Sequence, residues 1–293
     1  MRPSPTTTAL FLAPGVGLLL VFVVLPVLLT AWISLNNWSM YTPLSGMTFV
    51  GLENFERLLG DRNFRLAFRN TLVYAGLSLA LILPLSFLLG QFLFTGLRRG
   101  RTALRSMLFV PYMVPTIAVA IIWGYLYSPL YGPLNQILRF FGLPGQAWLG
   151  SVDSALFSLV IFNVWQTIGY YTVLVIAGLT QIPRTFYEAA LIDGANAWQR
   201  TRFVTLPLLR RTLLFVVVIA TINTVQVFEP VYVLTQGGPA NATNVLSFQV
   251  YRSAFEFGLA GQASAMAFIL FLLLVVAVGA VMRLLRDPEG RDL

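Results

Sequence analysis

Chemistry in this chain has few residues to work with. The 293-residue sequence holds no cysteine, histidine or lysine. That excludes disulfides, the usual zinc sites and imidazole acid–base catalysis. A Walker A phosphate loop requires lysine and is excluded as well. One stretch nevertheless stands apart, FYEAALIDGANAWQRTRFVTLPLL at residues 186–209, which sets Glu188, Asp193, Arg200 and Arg202 between two long apolar runs. Thr185 is a plausible N-cap with Glu188 three residues on as its capping-box partner. A helix Phe186–Asp193 then stops at Gly194, a natural C-cap. A second short helix is expected from about Asn196 to Val204, ending before Pro207. Small residues Ala189, Ala190, Gly194 and Ala195 allow another surface to approach closely, while Phe186, Tyr187, Leu191 and Trp198 supply apolar knobs. Such a segment is built for docking. No catalytic residue and no metal ligand set emerges from it.

Two further groups of polar residues lie inside apolar runs. Asn163, Gln166, Thr167 and Tyr170 stand at i, i+3, i+4 and i+7, one face of a helix. Asn223, Gln226 and Glu229 are again three apart, with Thr224 adjacent. Amides both donate and accept, and burying them costs less than burying charges, so facing stripes of this kind suit a hydroxyl-rich ligand. Trp123, Tyr125, Trp165, Tyr170 and Tyr171 can supply faces for sugar rings. The same stripes also suit interhelical hydrogen bonds, worth about 0.6 kcal/mol each. Glu229, the one carboxylate within a span, reads as a group in the headgroup region or at the mouth of a cavity.

The elements that position these groups are membrane helices. Only 10% of the residues are charged, where a soluble domain carries about 25%. Six runs are long enough to cross a bilayer: about 9–35, 71–97, 106–128, 154–180, 206–234 and 257–282. The fold class is therefore all-α integral membrane, one transmembrane domain over 1–293. The first run is too long for the apolar core of a signal peptide and is read as an uncleaved helix. With both termini cytoplasmic, thirteen arginines fall inside and six outside, so the positive-inside rule places the termini, and the 181–207 segment, in the cytoplasm. The arginines flank spans and form no single basic face, which argues against a nucleic-acid partner. Pro111 and Pro115, one turn apart, predict a bend in the third span. Pro26, Pro84 and Pro230 read as ordinary membrane-helix prolines.

The stretch EAALIDGANAWQRTRFVTLP resembles the EAA loop of bacterial ABC-importer permeases. Glu188, Ala189, Ala190, Gly194, Leu206 and Pro207 match in type and spacing, while Val204 replaces the usual isoleucine and Arg211 stands where many members have proline. FVGLENFERLL, FRNTLVYA, FVPYMVPTIAVAIIWGYLYSPLYGPLNQIL and YVLTQGGPANATNVLSFQVYRSAF look like the carbohydrate-uptake branch, of maltose and glycerol-phosphate type, from about residue 9 to 285. The resemblance implies a six-helix type I importer permease with a cytoplasmic coupling helix, in the bacterial inner membrane. It also implies a second, different permease, a dimer of ATP-binding subunits that use ATP and magnesium, and an extracytoplasmic sugar-binding protein. This chain itself would bind no cofactor.

Carried over, Glu188 docks into a cleft of the ATPase subunit and Gly194 forms the turn of the coupling helix. Asn163 is similar to a sugar-contacting asparagine of the maltose type, whereas Gln166, Thr167, Ala220, Thr224 and Val227 differ in type from their counterparts. The expected function is the non-catalytic transmembrane subunit of a di- or oligosaccharide importer. A glycerol-phosphate or polyol permease is the alternative, and an ion-coupled carrier a more distant one.

Overall fold

The computed structural model describes residues 5–96 and 100–285. Leu97 and five of the counted arginines (Arg2, Arg98, Arg99, Arg286 and Arg291) lie outside them. In chain order the helices are α1 (Pro5–Leu19), α2 (Leu25–Ser34), α3 (Glu53–Gly60), α4 (Arg62–Gln91), α5 (Arg101–Met113), α6 (Thr116–Leu126) and α7 (Pro133–Phe140). There follow α8 (Ala155–Gln181), α9 (Arg184–Ile192), α10 (Ala197–Arg200), α11 (Leu206–Val225), α12 (Glu229–Leu234), α13 (Leu246–Tyr251) and α14 (Ala260–Leu285). The β-structure among the described residues is a two-residue antiparallel ladder, β1 (Asn36–Asn37) with β2 (Thr48–Phe49). Five helical stretches are long and apolar enough to cross a bilayer, and α5 with α6 makes a sixth if the pair is one broken span. The chain divides into two compact units, Met1–Arg65 with Leu246–Leu272 and Leu66–Val245 with Leu273–Leu293.

In the first unit the large exposed side chains of α1 from Phe11 on and of α2 are apolar, which costs nothing in hydrocarbon because lipid tails are as apolar as leucine. The irregular chain after α2 is held by one buried side chain. Asn54 Nδ2 donates to the carbonyls of Ser34 (2.8 Å) and Asn36 (2.9 Å), satisfying acceptors that the end of α2 leaves open.

The second unit is organised around α8. Ile82 of α4, Tyr171, Val175 and Leu179 of α8, and Leu209, Val216 and Ala220 of α11 form one buried cluster. Val119, Ala120 and Trp123 of α6 pack with Phe162 of α8 in another. Two glycines set the closeness of these contacts. A Cβ at Gly169 would overlap the Leu108 carbonyl of α5, and one at Gly178 would crowd Leu209 and Thr212 of α11. Buried asparagines again tie down the loops. Asn70 Nδ2 donates to the carbonyls of Asn241 and Asn244, both at 3.0 Å. Asn135 uses all four of its hydrogen-bonding positions: Nδ2 donates to Pro129 O (3.1 Å) and Gln146 O (2.9 Å), and Oδ1 accepts from Gln146 N (3.0 Å) and Trp148 Nε1 (2.8 Å).

Several boundaries differ from the sequence reading. The bend expected in the third span is a break of 98° between α5 and α6. Val114, pushed out of helical geometry by the following proline, is extended (φ −82°, ψ 137°), and Pro115 starts α6. The fifth span also breaks. α11 ends at Val225, Phe228 is non-helical (φ −139°, ψ −60°), and α12 begins at Glu229 with Pro230 in its first turn. Asn223, Gln226 and Glu229 therefore do not share one continuous helical face. The short helix expected to end before Pro207 instead continues into α11. A π turn at Thr201–Thr205, with Leu206 N–H bonded back to Thr201 O, widens the helix where Pro207 would otherwise crowd a carbonyl.

The two glycines predict unequal costs. Gly169→Val meets backbone and should destabilise the solubilised chain by about 1–3 kcal/mol. Gly178→Ala meets only side-chain ends and should cost less. Thermal unfolding in detergent, read side by side, checks the order.

Candidate substrate cavity and coupling loop

A cavity of about 340 Å³ opens in the second unit where the two helix breaks face α8. α8 contributes Asn163, Gln166 and Thr167; the α5–α6 break contributes Tyr112 and Thr116; the α11–α12 break contributes Asn223, Gln226, Val227, Phe228, Glu229 and Pro230. Six of the eight residues expected along the path are thus brought together, Asn223, Gln226 and Glu229 across a break. Two are not. Tyr170 lies outside the lining, stacked behind Tyr112 with ring centroids 4.3 Å apart. Thr224 is buried, its hydroxyl donating to Ala220 O at 2.8 Å in its own helix. The expected ring-stacking aromatics are not in the lining either: Trp123 packs against Tyr127, Phe162 and Trp165, and Tyr171 accepts a hydrogen bond from Asn223 at 3.1 Å. Tyr112 and Phe228 supply the aromatic faces instead. The sequence held a signal for both, since each sits just ahead of a proline that ends helical geometry.

The polar groups divide into those that hold helices together and those left for a ligand. Gln166 Nε2 donates to Thr116 Oγ1 (3.1 Å), and Thr167 Oγ1 donates to Asn163 O (2.7 Å). Asn163 differs. Its Nδ2 is buried and has no hydrogen-bond partner among the described residues. A buried amide donor without an acceptor costs about 1–3 kcal/mol, which an oxygen-bearing ligand would recover. Glu229 is exposed, in the first turn of α12, a position the helix dipole favours for a carboxylate. It sits at the cavity mouth, not as a buried relay.

The 184–207 segment folds into a capped hairpin of helices. α9 begins at Arg184 after Pro183, so Thr185 lies inside the helix and makes no capping box with Glu188. Proline supplies a preset φ and lacks the N–H that a cap would satisfy, and it displaces the expected threonine. At the other end Gly194 adopts φ 77°, and the N–H groups of Gly194 and Ala195 bond to Leu191 O (3.1 Å) and Ala190 O (2.9 Å), a Schellman motif. The capping box forms one helix later: Asn196 Oδ1 accepts from Gln199 N and Gln199 Oε1 from Asn196 N, at 2.9 and 2.8 Å. Tyr187 OH meets Thr205 Oγ1 at 3.2 Å, holding α9 against the π turn.

Glu188, Ala189, Asp193 and Gly194 are exposed, Ala190, Ala195 and Leu206 half-buried, and Pro207 exposed at the start of α11. Glu188 makes no ion pair among the described residues. Phe186, Leu191, Ile192 and Trp198 are exposed around it, the last two 87% and 71%. Exposed apolar side chains on such a loop suit contact with another protein or with the membrane surface.

A helical membrane chain with a cavity at paired helix breaks and an exposed, rigidly capped loop defines a transport permease. Residues 82–288 match the family described as binding-protein-dependent transport system inner membrane component, and the chain belongs to it. The chain is 38% identical over 95% of its length to the trehalose/maltose transport system permease protein MalF of Thermococcus litoralis, covering 94% of that protein. It is 34% identical over 85% of its length to the lactose transport system permease protein LacF of Rhizobium radiobacter, covering 83% of it. In fold it matches a chain of a bacterial alginate ABC transporter crystallised with an alginate-pentasaccharide-bound periplasmic protein. That match has a TM-score of 0.83 and 23% identity, covering 98% of this chain and 96% of the other. Family membership sets aside the ion-coupled carrier.

The left-handed turn at residue 194 has a measurable consequence. Gly194→Val should cost about 1–2 kcal/mol and raise protease cleavage within 186–200, whereas Gly194→Asn should stay close to the parent. Limited proteolysis of the purified chain distinguishes them.

Proposed function

We propose that this chain is the non-catalytic transmembrane subunit of an ATP-driven sugar importer in the bacterial inner membrane, with both termini cytoplasmic. It pairs with a second, different permease, docks a dimer of ATP-binding subunits through its EAA loop, and receives a di- or oligosaccharide from an extracytoplasmic binding protein. Sugar named for the relatives, trehalose/maltose and lactose, supports the substrate class. The arginine distribution supports the topology. The observation that carries the docking role is Glu188, exposed, without an ion pair, and ringed by exposed apolar side chains on a loop whose turn is locked by Gly194.

In this reading ATP and magnesium belong to the partner subunits, which close around nucleotide. Closure moves the docked loop and biases the helices between inward- and outward-facing states by no more than the differential affinity of ATP for the closed dimer. Asn163, Gln166, Thr167, Asn223, Gln226 and Glu229 line the sugar's route, with Asn163 Nδ2 donating to a hydroxyl oxygen. Tyr170 and Thr224 support the walls. A neutral saccharide is favoured over glycerol phosphate because no arginine lines the cavity.

Three measurements test the proposal. In the reconstituted complex, ATP hydrolysis should rise with the binding protein only when sugar is present; solute accumulation by the isolated chain would overturn it. Glu188→Lys should lower coupled uptake about 30-fold or more, since reversing a charge at a docked interface costs about 2 kcal/mol or more, while membrane insertion stays normal. Asn163→Ala removes one hydrogen bond of about 1 kcal/mol; it should weaken transport affinity roughly fivefold and leave co-purification of the subunits unchanged.

A further inference from the structure

The loop between α6 and α8 leaves large apolar side chains on its surface. On α7 the buried side chain is an amide, Asn135, 2% exposed and fully hydrogen-bonded, beside the partly buried Leu134, which packs against the α6–α8 cluster. Ile137 and Phe140, with Phe141 just past the helix end, stay outside, 54%, 85% and 71% exposed. A helix in water buries its apolar face; here Asn135, tied to Pro129, Gln146 and Trp148, fixes the rotation that leaves these three outward.

The position of α7 tells what covers that face. α6 leaves the bilayer with Ile121, Ile122 and Tyr125 exposed at its surface, 64%, 60% and 61%. α7 begins seven residues after α6 ends, and the chain between them is folded tightly back: Gly132 N bonds to Ser128 O at 2.9 Å, and a Cβ at Gly132 would overlap the carbonyls of Leu126 and Ser128. The tight turn keeps α7 close to the end of α6, where both helices expose large apolar side chains. The one charge of α7 is Arg139, exposed in the last turn, where its stem can lie along apolar surface with the guanidinium at headgroup level. We propose that α7 is an interfacial helix, seated with Ile137, Phe140 and Phe141 among the acyl chains of the leaflet at the C-terminal end of α6, where it fixes the depth of the loop.

The absence of cysteine gives a direct test. Nitroxide labels are placed singly at Phe140→Cys, Phe141→Cys and Ile137→Cys. Ile122→Cys serves as a lipid reference and Glu56→Cys on the exposed face of α3 as an aqueous one. The assembled transporter is held in nanodiscs of phosphatidylethanolamine and phosphatidylglycerol, and collision with oxygen is compared with collision with a water-soluble nickel chelate. The expected result is an oxygen-to-chelate ratio several-fold above Glu56→Cys and close to Ile122→Cys. Free access of the chelate overturns the proposal in favour of a water-exposed loop. Shielding from both reagents overturns it in favour of a protein partner on this face. Each outcome is independent of which solute the transporter carries.

Discussion

Backbone polar groups at membrane depth must find partners inside the protein, and that constraint governs where this chain is allowed to be irregular. Each departure from regular helix has an identifiable device beside it. Asn54, Asn70 and Asn135 are buried, and each gives its amide hydrogens to two carbonyls of connecting chain. Pro207 is accommodated by a π turn. The breaks at Val114–Pro115 and Gln226–Phe228 open onto the cavity, where freed backbone groups and side-chain amides share one polar space. Irregularity and ligand chemistry coincide because a polar cavity is the one place within the bilayer that tolerates both.

The packing around α8 explains how such a cavity stays open without loosening the unit. Gly169 brings the backbone of α5 against α8, and Gly178 admits the side chains of Leu209 and Thr212 of α11, so dispersion contacts are concentrated along one helix. The polar residues that α8 gives to the lining, Asn163, Gln166 and Thr167, lie on its turns just ahead of Gly169. Among the described residues of the lining, Asn163 is the one with an unmatched buried donor. In the proposed importer this asymmetry separates roles: most of the stripe holds the walls, and one amide is poised for the passing solute.

The 184–207 loop follows a different physical rule. It is stiffened by local hydrogen bonds, a Schellman turn at Gly194 followed by a capping box at Asn196 and Gln199, and is tied to α4 by Gln91 Nε2 donating to Thr201 Oγ1 at 2.6 Å. Tyr187 and Thr205 connect it to the start of α11, whose far end carries Asn223 and leads into the break that lines the cavity. A force applied at Glu188 would reach α11 through short, stiff elements, which suits the proposed transmission from an ATPase.

Composition and pattern by themselves determined the class of this protein: apolar runs of membrane length and the spaced residues Glu188, Gly194 and Pro207 of the loop. These are legible because they depend on one solvent preference or one local turn. Glu229 could be placed at a cavity mouth for the same reason. Tertiary structure alone decided which stripe residues meet. The face through Asn223, Gln226 and Glu229 was drawn on an unbroken helix, and only the break ahead of Pro230 put Phe228 in the lining and withdrew Thr224. Likewise Tyr170 shares a face with Asn163 yet is spent on stacking Tyr112. Whether a polar side chain bonds to its own helix, to a neighbour or to nothing is a property of distances between elements, and no periodicity within one element contains them.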